Sequence, residues 1–137
     1  MEAARALQGK VIRLKVKVSS HTPLHSDQAE EFAGLIRDLP IQDPVRPIVS
    51  NRTSELLRTA AEVRCEFEEQ LRSPVYWAEN VRRMTREGVD LLVEVGPGHV
   101  LAGMAKRISK ELSVVSLDDA REAPIPISVL PLRNAAQ

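Results

Sequence analysis

Few side chains in this sequence are equipped for chemistry: the histidines His21, His25 and His99, the single cysteine Cys65, and the residues around a Gly96-Pro97-Gly98 turn. His21 lies in a Ser-rich loop directly after a strand pattern, beside small residues that leave its ring accessible. Open α/β sheets place their active sites in loops at the carboxyl ends of strands. An imidazole there suits general-base work, because its pKa lies near neutral pH. On position alone, an ordinary loop histidine is the competing reading.

His25 follows four residues later. Two ligands at that spacing share a face only on helical backbone, and Pro23 between them opposes a helix. No cysteine or carboxylate cluster completes a site, so no metal and no cofactor is expected. Gly96-Pro97-Gly98 superficially resembles a phosphate cradle. It lacks the Lys-Ser/Thr of a P-loop and the three-glycine spacing of a dinucleotide fingerprint, and Pro97 removes an amide donor. A tight strand-to-helix turn is the better reading, with His99 in the first helical turn. Cys65 sits in a helical pattern of mixed polarity and reads as a small buried hydrophobe. A lone cysteine excludes an internal disulfide and fits a reducing cytoplasm.

Alternating elements must position these residues. Glu2 to Gln8 reads as a helix end stopped by Gly9. Ile12 to Val18 alternates apolar and basic residues as a half-buried strand does. Its Arg13, Lys15 and Lys17 form a row that is either a solvated face or a contact for an acidic partner. Ser26 is placed to cap a helix running to Leu39, ended by Pro40. Val45 to Ser50 suggests a short edge strand. Helices follow over Ala60 to Leu71, with Val63, Phe67 and Leu71 on one face, and over Trp77 to Glu87, with Ser73-Pro74 between them and Gly88 after the second. Leu91 to Val95 reads as an interior strand. A helix then ends near Leu112, with Leu101, Met104, Ala105 and Ile108 facing inward, before a last strand over Val114 to Leu117. The Pro-rich remainder is expected to be an extended tail.

Strands alternating with helices through short loops predict an α/β layered fold with largely parallel strands. About four strands serve five helical segments, which leaves apolar stripes without partners and points to part of a larger core. Nineteen basic residues balance nineteen acidic ones and aromatics make up 3%. Neither feature suits nucleic-acid or anionic-membrane binding. No apolar run approaches the roughly 18–20 residues of a membrane span, and no signal-peptide h-region is present. A cytoplasmic protein is expected.

Four motifs together resemble one family. Val18-Ser19-Ser20-His21-Thr22-Pro23-Leu24 resembles the histidine loop of malonyl-CoA:acyl-carrier-protein transacylases. Pro47-Ile48-Val49-Ser50-Asn51 is similar to that family's Pro-Val-x-Ser/Asn-Asn stretch. Gln70-Leu71-Arg72-Ser73-Pro74-Val75-Tyr76-Trp77 resembles its Gln-Leu-x-x-Pro-Val-x-Trp signature. Glu94-Val95-Gly96-Pro97-Gly98-His99-Val100-Leu101, with Gly103 and Lys106-Arg107, resembles its Glu-Val-Gly-Pro-Gly-x-Val-Leu-x-Gly-x-x-Lys-Arg run.

The resemblance implies the carboxyl-terminal part of an α/β-hydrolase-like acyltransferase large domain, residues 19–119. Residues 1–18 would be the remnant of a ferredoxin-like small subdomain, and residues 120–137 a tail. It also implies two-step transfer of a malonyl group from malonyl-CoA to acyl carrier protein through a serine. His21 would be the general base, the backbone carbonyl of Gln70 would orient it, and Asn51 would lie near the substrate. His25 stands where the family has methionine.

No Gly-x-Ser-x-Gly sequence occurs in the chain, and the family's carboxylate-binding arginine and oxyanion segment have no counterpart. The chain is therefore expected to be inactive alone and to act with a complementing portion, in another chain or an oligomer. Met1 falls inside an expected helix, which favours truncation. The rivals are a polyketide-synthase or malonate-decarboxylase acyltransferase fragment, a non-catalytic remnant binding carrier protein or a partner subunit, and an inert fragment.

Overall fold

A computed structural model describes residues 17–118. A single 3-10 turn, Pro23–His25, leads into helix α1, Ser26–Ile36. Strands β1, Ile48–Val49, and β2, Leu56–Leu57, pair antiparallel with Ile48 opposite Leu57. Helices α2, Ala60–Gln70, and α3, Trp77–Arg86, follow. Strand β3, Leu91–Glu94, is parallel to β4, Ser113–Ser116, with Leu91 opposite Ser113, and helix α4, Val100–Ile108, crosses between them.

Local sequence sets most of these limits. The side chain of Thr59 accepts from the Glu62 backbone N–H at 3.3 Å, and Glu62 accepts from the Thr59 N–H at 2.9 Å. This capping box starts α2. At the end of α3, Gly88 adopts φ 83°. Its N–H reaches the Thr85 carbonyl and that of Val89 reaches Met84, each at 3.0 Å. The pair forms a Schellman ending, which needs the left-handed backbone that glycine adopts freely. The main core joins Val81 of α3, Ala105 of α4 and Leu112, with Trp77, Met84, Leu92 and Val114 packed around them.

Several sequence-based expectations need correction. The strands are not largely parallel among the described residues, since β1 and β2 form an antiparallel pair. The turn at 50–55 is too short to carry a crossover. Ser26 is the first residue of α1 rather than its cap; its hydroxyl donates to the Pro23 carbonyl at 2.8 Å. That helix stops at Ile36 rather than Leu39, and Arg64 of α2 donates to the carbonyls of Ile36, Arg37 and Leu39 at and just beyond its end. Helix α4 stops at Ile108, where Ser109 turns to extended backbone so that Leu112 can enter the core.

Phe67, Leu101 and Met104 are exposed, as is Cys65, so the buried-hydrophobe reading of that cysteine fails. Strand β3 is only half-buried along its length, not an interior strand, since β4 is its sole neighbour among the described residues. The helix expected at Glu2 to Gln8, nearly all of the strand at Ile12 to Val18 with Arg13 and Lys15, and the Pro-rich tail lie outside the described residues; Lys17 and Val18, inside them, are exposed and irregular.

Candidate functional site

The carboxyl-terminal turn of α2 is the foundation of the site. His21 lies beside it in an exposed loop and holds φ 63°, a left-handed conformation that a side chain with a Cβ adopts at a cost of about 1–2 kcal/mol. Two bonds to the helix end hold it there. The His21 N–H donates to the Leu71 carbonyl at 3.1 Å, and ring atom Nδ1 lies 3.0 Å from the Gln70 carbonyl oxygen. A carbonyl only accepts, so the proton sits on Nδ1 and the lone pair on Nε2. Nε2 makes no hydrogen bond among the described residues. His25 turns elsewhere: its Nε2 lies 3.0 Å from the Ser19 hydroxyl.

The turn after β1 docks on the same helix, one turn earlier. The buried carboxylate of Glu66 accepts from the Ser50 hydroxyl at 2.6 Å, the Asn51 N–H at 2.7 Å and the Arg52 N–H at 3.3 Å. Glu66 and Gln70 are four apart and therefore share a helix face. From the other side, the Asn51 carbonyl accepts from the Tyr76 N–H at 2.8 Å, tying the turn to the start of α3. The Asn51 carboxamide lies between those of Gln70, at 3.2 Å, and Asn80, at 3.1 Å. His21, Gln70 and Asn51 thus come together from segments far apart in sequence. Glu66 and Asn80 were missed. The i, i+4 spacing of Glu66 to Gln70 was the available signal for the first; Asn80 gave none, since an asparagine in a helix normally faces water.

The glycine-rich turn is spoken for by the chain's own carboxylates. Glu94 accepts from the N–H groups of Leu101 and Ala102 at 3.1 and 2.9 Å, neutralising the start of α4. Asp118 accepts from the Gly98 N–H at 2.6 Å. Three of the donors that would cradle a phosphate, those of Gly98, Leu101 and Ala102, are thus occupied, and His99 is the residue that precedes the first helical one.

An open apolar hollow of about 680 Å³ lies between β1, α3, α4 and β3, with Trp77, Met84, Leu101 and Val114 among its lining. Among the described residues, no helix is long and apolar enough to cross a membrane, and no three His, Cys, Asp or Glu side chains converge as metal ligands.

The fold of the described residues is that of part of the α/β acyltransferases. No family model matches the chain. It is 36% identical over 110 residues to the malonyl CoA-acyl carrier protein transacylase of Haemophilus influenzae, matching 80% of this chain and 35% of that protein. It is 29% identical over 125 residues to that of Bacillus subtilis, matching 91% and 39%. Among solved structures, an acyl carrier protein S-malonyltransferase from Vibrio cholerae superposes with TM-score 0.73 at 34% identity, over 81% of this chain and 38% of its own. A malonyl-transacylase in complex with a type II polyketide acyl-carrier protein gives TM-score 0.76 at 34% identity, over 84% and 38%. The chain is homologous to the carboxyl-terminal portion of the malonyl CoA-acyl carrier protein transacylases. It spans 35–39% of the length of the two curated relatives just described.

Proposed function

We propose that this chain supplies the histidine half of a malonyl transfer from malonyl-CoA to acyl carrier protein, completed by a serine-bearing segment outside this sequence. The observation that carries the reading is the 3.0 Å approach of His21 Nδ1 to the Gln70 carbonyl, which leaves Nε2 as the base. In the first step Nε2 takes the serine hydroxyl proton as the oxygen attacks the malonyl thioester carbonyl. The carbon–sulfur bond breaks and coenzyme A leaves with that proton, leaving a malonyl ester. In the second step Nε2 takes the proton of the carrier's phosphopantetheine thiol. The sulfur attacks the ester, and the serine oxygen departs with the proton. Gln70 holds the ring in one tautomer throughout, as an aspartate does in hydrolase triads.

A single cysteine, Cys65, fits a reducing, cytoplasmic setting for this reaction. A polyketide carrier is the second candidate acceptor, because the neighbour bound to such a carrier matches this chain at the same identity as the Vibrio cholerae enzyme. The test is to mix the chain with a serine-bearing segment of a relative and follow malonyl transfer to each carrier protein. Transfer is expected to appear, and His21→Ala is expected to lower it by about 10²–10⁴-fold. Reconstituted transfer that His21→Ala leaves unchanged would refute the role given to that residue.

A further inference from the structure

Behind His21 runs an unbroken line of three carboxamides, Gln70, Asn51 and Asn80, ending in the interior where Asn80 is 2% exposed. An amide donates through nitrogen and accepts through oxygen, so such a line has a direction, and reversing one member requires reversing all.

Two directions are available. In one, Asn80 Nδ2 donates to Asn51 Oδ1, Asn51 Nδ2 donates to Gln70 Oε1, and Gln70 Nε2 faces His21 Nδ1 at 3.3 Å. This direction fails at both ends. Nδ1 would have to offer a lone pair to Gln70 Nε2 while another lone pair, that of the Gln70 carbonyl, stands 3.0 Å away. At the far end the Asn80 oxygen would accept from the Ser54 hydroxyl at 2.6 Å but also face two carbonyls, of Ser50 at 3.1 Å and Tyr76 at 3.2 Å, acceptor against acceptor.

The opposite direction satisfies both ends with the same heavy-atom positions. His21 Nδ1–H donates to the Gln70 carboxamide oxygen as well as to its backbone carbonyl. Gln70 donates to Asn51, Asn51 donates to Asn80, and the two N–H groups of Asn80 are shared among the Ser50 carbonyl at 3.1 Å, the Tyr76 carbonyl at 3.2 Å and the Ser54 hydroxyl oxygen at 2.6 Å. The two ends are independent, and each selects this direction.

We propose that Asn51 and Asn80 are positioning residues that set the tautomer of His21 through Gln70. The carbonyls of Ser50 and Tyr76 fix the Asn80 amide. That amide fixes Asn51, Asn51 fixes Gln70, and Gln70 presents oxygen to Nδ1. The proton is kept on Nδ1 and the lone pair on Nε2. The inference deepens the malonyl-transfer reading and rests on it only for the use made of Nε2; the tautomer itself is a property of this chain.

The test is ¹⁵N NMR of the full chain labelled at histidine, above the pH where the ring titrates, with the His21 signals assigned by their loss in His21→Gln. The wild-type chain is expected to show the Nδ1–H tautomer in excess. Asn51→Leu, which ends the line at Gln70, is expected to lower the ratio of Nδ1–H to Nε2–H several-fold. Asn51→Asp still accepts from Gln70 and is expected to keep the wild-type ratio. Should Asn51→Leu fail to fold, Gln70→Met removes only the half-exposed carboxamide and leaves the backbone carbonyl; it is expected to shift the ratio in the same way, with Gln70→Glu restoring it. A wild-type ring protonated on Nε2 would overturn the proposal. So would a ratio indifferent to both Asn51→Leu and Gln70→Met, because the backbone carbonyl would then suffice. None of these readouts needs acyl transfer, so a failed reconstitution would count against the function and not against the relay.

Discussion

Glu66 and Gln70 stand one turn apart on α2 and grip the two halves of the site: Glu66 holds the Asn51 N–H at 2.7 Å, and the Gln70 carbonyl meets His21 Nδ1 at 3.0 Å. Replacing Glu66 by alanine would leave the Ser50 hydroxyl and the Asn51 and Arg52 amides without their acceptor. Urea unfolding is expected to show a loss of about 2–3 kcal/mol. Glu66→Gln should recover only part, since its NH₂ must face one of those donors.

Glu94 plays the corresponding part for α4. Its two bonds to the Leu101 and Ala102 amides satisfy donors that begin a helix. Glu94→Ala is expected to cost about 1–2 kcal/mol in the same measurement. Amide hydrogen exchange should quicken first in α4.

Arg64 closes the end of α1 by donating to the carbonyls of Ile36, Arg37 and Leu39, the last two at 2.8 Å each. Arg64→Met keeps the apolar stem and removes the charge. It is expected to cost about 1–2 kcal/mol, with Arg64→Lys intermediate because it cannot fork across the carbonyls.

Much of the framework was legible before any coordinates. Helices α2 and α3 announced themselves by apolar residues four apart, by Ser73-Pro74 between them and by Gly88 at the end. Strand β2 was not legible, because two leucines carry no period. Cys65 and Phe67 misled because a face that reads as apolar is buried only as far as something packs on it: Phe67 stays 45% exposed, and Cys65 is exposed beside the Arg52 guanidinium at 3.7 Å. The meeting of His21 with Gln70 was readable only through family resemblance, since contacts across 49 positions leave no local trace. Asn80 was illegible for the opposite reason: its helix looks solvated there, and its burial is created by the turn at 50–54 packing against α3.

Acid should weaken the fold through carboxylates paired at its surface. Hydrogen bonds from the Arg58 and Thr59 backbone hold Glu62 below its ordinary value of 4.5, a bond from Arg72 does so for Glu69, and one from Arg86 for Glu79. A carboxyl with a depressed folded pKa binds protons more readily when unfolded. Its contribution is complete above about pH 4.5 and is lost as pH falls through the folded value. The urea midpoint is expected to drop between pH 5 and pH 3. A chain carrying Glu62→Gln, Glu69→Gln and Glu79→Gln should show a shallower fall.

Because the imidazole, its acceptor and the Asn51 turn are all moored to the last turns of α2, they travel as a unit. On the proposed reading, a polypeptide bringing the nucleophile would meet the imidazole and the Asn51 turn already set against each other. Complementation should therefore be sensitive to substitutions that loosen the end of α2.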